Sequence, residues 1–482
     1  MKNILFVASE CYPFIKTGGL ADVVGSLPKY FDKKYFDVRV IIPNYSCIPN
    51  FWKNKMVYLR NFQLDYAGEN KYVGIFDMEY QGIKYYFIDN KEYFSGDTPY
   101  STNYDDIIKF IFFDKAVLSA LPNIDFRPDI IHCHDWQTGL IPIYLRSYFL
   151  ENIYYHNMKS VMTIHNLKFQ GIQNKYMIQY YSSLEDYFFT DDRLEFNKGK
   201  DGNMLKGGCV FADCITTVSQ TYAKEITTSN YGEGLDQLMN RRIESLRGIV
   251  NGIDYNDVNP QTDENITFHY NSDNFSTEKC KNKEALQSEL GLQVNKNKFL
   301  IGIVSRLTDQ KGIDLVNNIF EDICNMDMQI VILGNGEGNY ENSFKYFEWK
   351  YRDKVSANIY YSETLARKIY AASDVFLMPS LFEPCGLSQL YALRYGSLPI
   401  VRETGGLKDT VIPYNHFDNT GNGFSFKNYN AKELLQQIYA AAGLYYDYRY
   451  LWDDMVKRAM LTDNSWEKAV LKYQEMYDWL IK

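Results

Sequence analysis

Short apolar runs recur along this chain, and each gives way to a polar turn and then to a stretch with helical spacing. In the first half they are Ile4–Ala8, Val38–Ile42, Tyr85–Ile88, Ile130–His132 and Ser160–Ile164. In the second half they are Phe299–Val304, Gln329–Leu333, Val375–Met378 and Leu398–Val401. A continuous apolar run bounded by turns fits a strand buried on both faces, and its alternation with helices predicts parallel α/β architecture. Asn251-Gly252-Ile253-Asp254 and the polar stretch to about Asn297 predict a boundary between the two sets, because Asn-Gly turns favour chain reversal. At the end, Trp466, Ala469, Val470, Tyr473, Met476, Tyr477 and Leu480 fall on one stripe of a terminal helix. Periodicity alone does not say where that helix docks.

Composition narrows the class. A chain of 482 residues is too long for one ordinary core, so two or three domains are expected. Apolar content of 46% with 23% charged residues fits a globular protein with ample core. A net charge of −9 without a basic stripe argues against nucleic acid as a partner, and an anionic ligand would need cations placed locally. No apolar run approaches the ~18 residues of a membrane span. The start, through Ala8 to Glu10, reads as a buried first strand and not as a secretory leader, so cytoplasm is the default. The eight cysteines are scattered, with no Cys-x-x-Cys. His132-Cys133-His134 is a weak metal candidate, since neighbours on a strand point to opposite faces.

Thr-Gly-Gly-Leu occurs twice, at 17–20 and 404–407, each time after an apolar run and before a helix-like segment. The frames also match, Lys16 to Asp22 against Glu403 to Asp409. A glycine turn at a helix N-terminus points unpaired N–H groups and the helix dipole at an anion, so two similar halves closing on one ligand are expected. Other chemistry-bearing residues also sit at the C-terminal ends of predicted strands, where open parallel sheets bind ligands. Arg306 and Lys311 follow Phe299–Val304. They suit a diphosphate, Arg as a planar fork and Lys as a point charge, or else they are two solvated surface cations. Glu383, before Cys385-Gly386-Leu387-Ser388, is placed to hold sugar hydroxyls, or serves as a first-turn acid at a helix start. Asp135, His165 and Asn166 lie beyond two strands of the first half; each alone reads as structural, and together they point to one cleft.

These residues together are similar to a family. Lys16-Thr-Gly-Gly-Leu-Ala-Asp-Val-Val-Gly, His134-Asp135-Trp136, Thr163-Ile-His-Asn166, Asn251-Gly-Ile-Asp254, Ser305-Arg-Leu-Thr-Asp-Gln-Lys-Gly312, Phe382-Glu-Pro-Cys-Gly-Leu387 and Thr404-Gly-Gly-Leu407 occur in order, ending at Ser465-Trp466. The chain thus resembles bacterial glycogen synthases and plant starch synthases, retaining GT-B glycosyltransferases. The resemblance implies two Rossmann-like domains whose parallel sheets face a deep interdomain cleft. Their expected bounds are 1–250 on the acceptor side and 251–461 on the nucleotide-sugar side, with 462–482 returning to the first.

It implies transfer of glucose from ADP-glucose to the non-reducing 4-hydroxyl of an α-1,4-glucan, with retention and with neither cofactor nor metal. The expected catalytic residues are Glu383, Asp135, His165, Arg306 and Lys311. Donor-side residues would be Lys16, Gly18, Gly19, Asp22, Asn251, Arg306, Lys311, Tyr361 (stacked on adenine), Cys385, Gly386, Leu387 and Ser388. Tyr100, Asp135 and Asn166 would face the acceptor. Position 391 is Tyr, as in this family, where many related transferases carry a second Glu; Arg394 stands where the family usually has Lys. Rival expectations are a GT-B transferase with a non-glucan acceptor and a noncatalytic glucan-binding relative.

Overall fold

A computed structural model describes all 482 residues. The chain divides into two compact units, Met1–Gly252 together with Trp466–Lys482, and Ile253–Ser465. Every apolar run picked out above is a strand.

In the first unit the strands are β1 (Lys2–Val7), β2 (Phe36–Pro43), β3 (Val57–Tyr66), β4 (Glu69–Tyr80), β5 (Ile83–Asp89), β6 (Ile130–His134) and β7 (Lys159–Ile164). Three short strands, β8 (Ile172–Asn174), β9 (Glu195–Phe196) and β10 (Asp201–Asn203), make a separate small sheet, and β11 (Cys214–Thr217) and β12 (Leu246–Gly248) complete the main one. Its order is β12-β11-β7-β6-β1-β2-β5-β4-β3. The strands from β12 to β5 run parallel and are buried on both faces; Ile4, for example, sits between Val38 and Ile130. β4 and β3 add an antiparallel edge through two tight hairpins. Ala67-Gly68 and Gln81-Gly82 occupy those turns with positive φ at both positions, the geometry that matches strand twist. This hairpin edge has no apolar run to announce it, because β3 is largely exposed.

The terminal helix Trp466–Ile481 belongs to this unit. Its stripe is buried, with the Tyr477 ring stacked on Phe31 at 5.6 Å and its hydroxyl 2.6 Å from His132 Nδ1. No helix of the chain is long and apolar enough to cross a membrane.

The second unit holds β13 (Phe299–Val304), β14 (Met328–Leu333), β15 (Val355–Asn358), β16 (Val375–Met378), β17 (Leu398–Arg402) and β18 (Phe424–Phe426), all parallel, in the order β15-β14-β13-β16-β17-β18. The polar stretch after Asp254 is not a simple linker, for it contains a helix, Phe275–Glu289, packed into this unit. Two of its three lysines point inward. Lys283 pairs with Asp374 at 2.6 Å, and Lys279 donates to the carbonyls of Tyr370, Ala371 and Tyr395. A polar composition therefore conceals a buried helix face here. In both sheets the strand order reverses beside the first strand of the set, between β1 and β6 and between β13 and β16. The crevice beyond the carboxyl ends at such a switch point is where open α/β sheets bind ligands.

Candidate active site

In the second unit, the two strands flanking the switch point deliver Lys311 and Glu383. After β13 the chain turns through Arg306, whose guanidinium is exposed and makes no ion pair. It then forms one helical turn, Asp309–Lys311, ending at Gly312. Gly312 has φ +71°, and a Cβ there would lie 2.1 Å from the Pro379 carbonyl oxygen, so only glycine lets this loop seat against the end of β16. The Tyr340 hydroxyl donates to the Asp309 carboxylate, while Tyr429 donates to Asp314 and, at 3.2 Å, to the Asp309 carbonyl. Thus braced, Lys311 places Nζ 2.6 Å from Glu383 Oε2.

Glu383 is only 6% exposed, and the same carboxylate oxygen accepts from Ser380 Oγ at 3.3 Å. Arg402, at the end of β17, donates to the carbonyls of Ser380 (3.0 Å) and Leu381, clamping the loop that carries the acid. Next along, Gln389 Nε2 donates to the carbonyls of Cys385 (3.0 Å) and Gly386 (3.1 Å). Leu387 starts the helix Ser388–Arg394, and the Ser388 side chain is engaged by the Tyr370 phenol. Tyr361 stands on the connection after β15 with its ring 76% exposed.

The second Thr-Gly-Gly-Leu turn lies against this loop. Gly406 N–H donates to the carbonyls of Glu383 (3.2 Å) and Pro384 (3.1 Å). A Cβ on Gly405 would lie 1.9 Å from the Glu383 oxygen, and one on Gly406 2.1 Å from that of Cys385. Its glycines serve backbone-on-backbone packing, and the expectation of two equivalent anion cradles is corrected accordingly.

The first turn differs. Glu10, just past β1, accepts from Thr17 N–H, from Thr17 Oγ1 at 2.7 Å and from the Tyr100 hydroxyl at 2.5 Å. Lys16 pairs with Asp22 at 2.8 Å across the turn. Gly18 precedes the helix Gly19–Ser26 in extended conformation, and a Cβ on it would meet nothing within 4 Å. Glu10 was not singled out from the sequence; its signal was a lone acid at the carboxyl end of the first buried strand. Tyr100 also lines a groove of about 780 Å³ with Tyr66, Tyr93, Tyr180 and Tyr181.

Beyond β6, Asp135 has φ 59° and ψ −176°, a region almost confined to glycine that costs roughly 1–3 kcal/mol for other residues. Hydrogen bonds hold it there. Its N–H donates to the Thr163 carbonyl, and its carboxylate accepts from the backbone N–H groups of His165 (2.7 Å) and Asn166. Burial outweighs these bonds and pushes the Asp135 carboxyl up to about 7. Burial likewise holds His165 down to about 3, so its ring is neutral, with Nε2 2.9 Å from His134 Nδ1. The Asn166 side-chain oxygen caps Lys168 N–H at 3.1 Å. Asn251, at the end of this unit, is buried with its side-chain oxygen unpartnered. His132 uses both ring nitrogens on Tyr477 and Thr163, and the rings of His132 and His134 stack at 4.4 Å.

Two sheets with parallel cores, each presenting charged groups at its switch point, belong to a glycosyltransferase of GT-B architecture. Residues 3–241 match the starch synthase catalytic domain and residues 287–442 the glycosyl transferases group 1 family. The chain is 59% identical to the glycogen synthase of Lachnospira eligens, covering 99% of this chain and 100% of that one. It is 57% identical to the glycogen synthase of Lachnoclostridium phytofermentans, with the same coverage. The catalytic domain of starch synthase IV from Arabidopsis thaliana, solved with ADP and acarbose, superposes with a TM-score of 0.92 at 31% identity, covering 100% of this chain and 99% of that one. Sucrose-phosphate synthase from Thermosynechococcus elongatus, at 16% identity and a TM-score of 0.64 over 100% and 99% of the two chains, shares the fold alone. The chain belongs to the glycogen synthase and starch synthase family.

Proposed function

We propose that this hexosyltransferase moves glucose from ADP-glucose to the non-reducing 4-hydroxyl of an α-1,4-glucan, with the anomeric configuration retained. The observation that carries the reading is the partly buried Lys311–Glu383 pair at the switch point of the second unit. Glu383 fixes the position of Lys311, and a cation held in place suits a site where negative charge builds on a departing diphosphate. Arg306, exposed and without an ion pair, supplies the second cation. Glu383 holds the glucose hydroxyls, beside Cys385 and the Gly386–Leu387 amides, with Ser388 behind them. Tyr361 stacks on the base. Lys16, Gly18, Gly19, Asp22 and Asn251 are assigned to the donor side.

In the transfer step the bond from C1 to the phosphate oxygen breaks and a bond from C1 to the acceptor 4-oxygen forms on the same face. The acceptor proton passes to the departing phosphate. Glu383 lies with Oε2 against Lys311 and Ser380, and burial raises the Asp135 carboxyl. Same-face attack is therefore the reading we adopt over a double displacement through a carboxylate nucleophile. Asp135, His165, Asn166 and Tyr100 are assigned to the sugar and the incoming hydroxyl, and the tyrosine-lined groove beside Tyr100 suits an oligosaccharide primer. The reaction is placed in the cytoplasm.

The test is incubation of the protein with ADP-glucose or UDP-glucose and a maltooligosaccharide primer. Primer extension with ADP-glucose is expected; no extension with either donor would overturn the reading.

A further inference from the structure

The buried His132 and His134 form a chain with the partly buried His165, and the proposed reaction leaves His134 unexplained. His134 stacks on Phe6 at 5.3 Å and on His132 at 4.4 Å, while the His165 ring stands 5.2 Å away and tilted. It is 1% exposed, its Nδ1 faces His165 Nε2 at 2.9 Å, and its Nε2 has no hydrogen-bond partner. Burial holds both His134 and His165 neutral, so each ring carries one proton and the bond between them needs one donor and one acceptor.

Two arrangements meet that condition. In one, His165 donates through Nε2 and His134 accepts on Nδ1; the His134 proton then sits on Nε2, as a buried N–H with no acceptor. In the other, His134 donates through Nδ1 and its Nε2 is a bare lone pair, while His165 accepts on Nε2 and keeps its proton on Nδ1. Orphaned buried N–H groups are the rarer kind of unsatisfied group, which selects the second arrangement. We propose that His134 is a positioning residue that fixes the tautomer of His165, leaving His165 with its proton on Nδ1 as a donor for a substrate hydroxyl.

That a sugar hydroxyl receives this bond rests on the function proposed above; the tautomer itself does not. A ring partner that sets which nitrogen of a functional imidazole is protonated is a general device, and here the partner is a second imidazole.

Selective 15N labelling of the six histidines, with His165→Asn to assign the signal, reads the protonation of each ring nitrogen. The wild-type full chain is expected to show His165 protonated at Nδ1. In His134→Phe, which keeps the ring stack and removes the donor, the His165 proton should move to Nε2, with kcat falling about tenfold and the KM for ADP-glucose little changed. In His134→Asn, whose side-chain N–H can stand near the place of Nδ1–H, the Nδ1-protonated form and most of kcat should return. A wild-type His165 protonated at Nε2, or a tautomer unmoved in His134→Phe, would overturn the inference. Should His134→Phe not fold, the wild-type spectrum alone still decides it. A tautomer that moves without any change in turnover would uphold the inference and instead remove His165 from the proposed substrate site.

Discussion

The two Thr-Gly-Gly-Leu turns have identical sequences and follow strands of the same kind, yet their glycines do opposite things. Around Gly18 there is open space: nothing lies within 4 Å of where a side chain would begin. Around Gly405 and Gly406 there is none, since each would drive a Cβ into a carbonyl oxygen of the Glu383–Cys385 segment. One turn is left clear for something to approach. The other is welded to the loop that carries the acid. A glycine-rich turn after a strand is therefore two different devices, and neighbours from elsewhere in the chain choose between them.

The largest effect should come from closing the welded turn. Gly405→Ala adds a Cβ at φ +44° and 1.9 Å from the Glu383 oxygen, so the backbone under Glu383 must shift. We expect a loss of several kcal/mol in urea unfolding and, if Glu383 has its proposed role, at least a hundredfold loss of kcat, the range for strain with overpacking and for ångström misplacement of a catalytic group. An unfolding midpoint like that of the wild type would break the comparison.

Next come the charges beside it. Lys311→Ala strands a buried carboxylate and removes a proposed diphosphate contact, whereas Arg306→Ala removes an exposed cation without an ion pair. Both should lower turnover by about 10²–10³, but only the lysine variant should also lose stability. Turnover like that of the wild type in both would remove the diphosphate assignment. Equal stability of the two variants would deny that the Lys311–Glu383 pair contributes to the fold.

Asp135, in the unit that holds the open turn, offers a pH test. Its carboxyl titrates near 7 in the folded chain and near 4 when unfolded, so between these values the folded state holds the extra proton. Stability must then fall as pH rises through that window, by on the order of 1.4 kcal/mol per unit from this group alone. Asp135→Asn should lose that component of the slope in unfolding measured at pH 4 to 7, and an unchanged slope would show the carboxyl to be ordinary.

The smallest structural effect belongs to the open turn. Gly18→Ala suits its extended backbone and should leave stability within about 0.5 kcal/mol, the usual range for surface changes. Its consequence should appear as a raised KM for ADP-glucose, read from initial rates. A fall in thermal midpoint of several degrees would mean the space around Gly18 is already filled.

Sequence alone determined nine of the strands, since a strand buried on both faces is a short apolar run between turns; β11, equally buried but only four residues long, escaped it. It also determined that Arg306, Lys311, Glu383, Asp135 and His165 stand beyond strand ends, because each lies in the turn segment that follows such a run. The β3–β4 hairpin escaped it, as exposed edge strands carry no apolar run. So did the helix Phe275–Glu289, whose inward-facing Lys279 and Lys283 make a buried face look like a linker. Only tertiary structure decided the strand order, and strand order is what brings Lys311 and Glu383, 72 residues apart, to one bond. It decided equally that Glu10 meets Tyr100, that Asp135 is buried far enough to hold its proton, and that His134 faces His165. The same limit separates the two Thr-Gly-Gly-Leu turns: four residues specify a bend, while the freedom of its amides depends on what the rest of the chain packs against it.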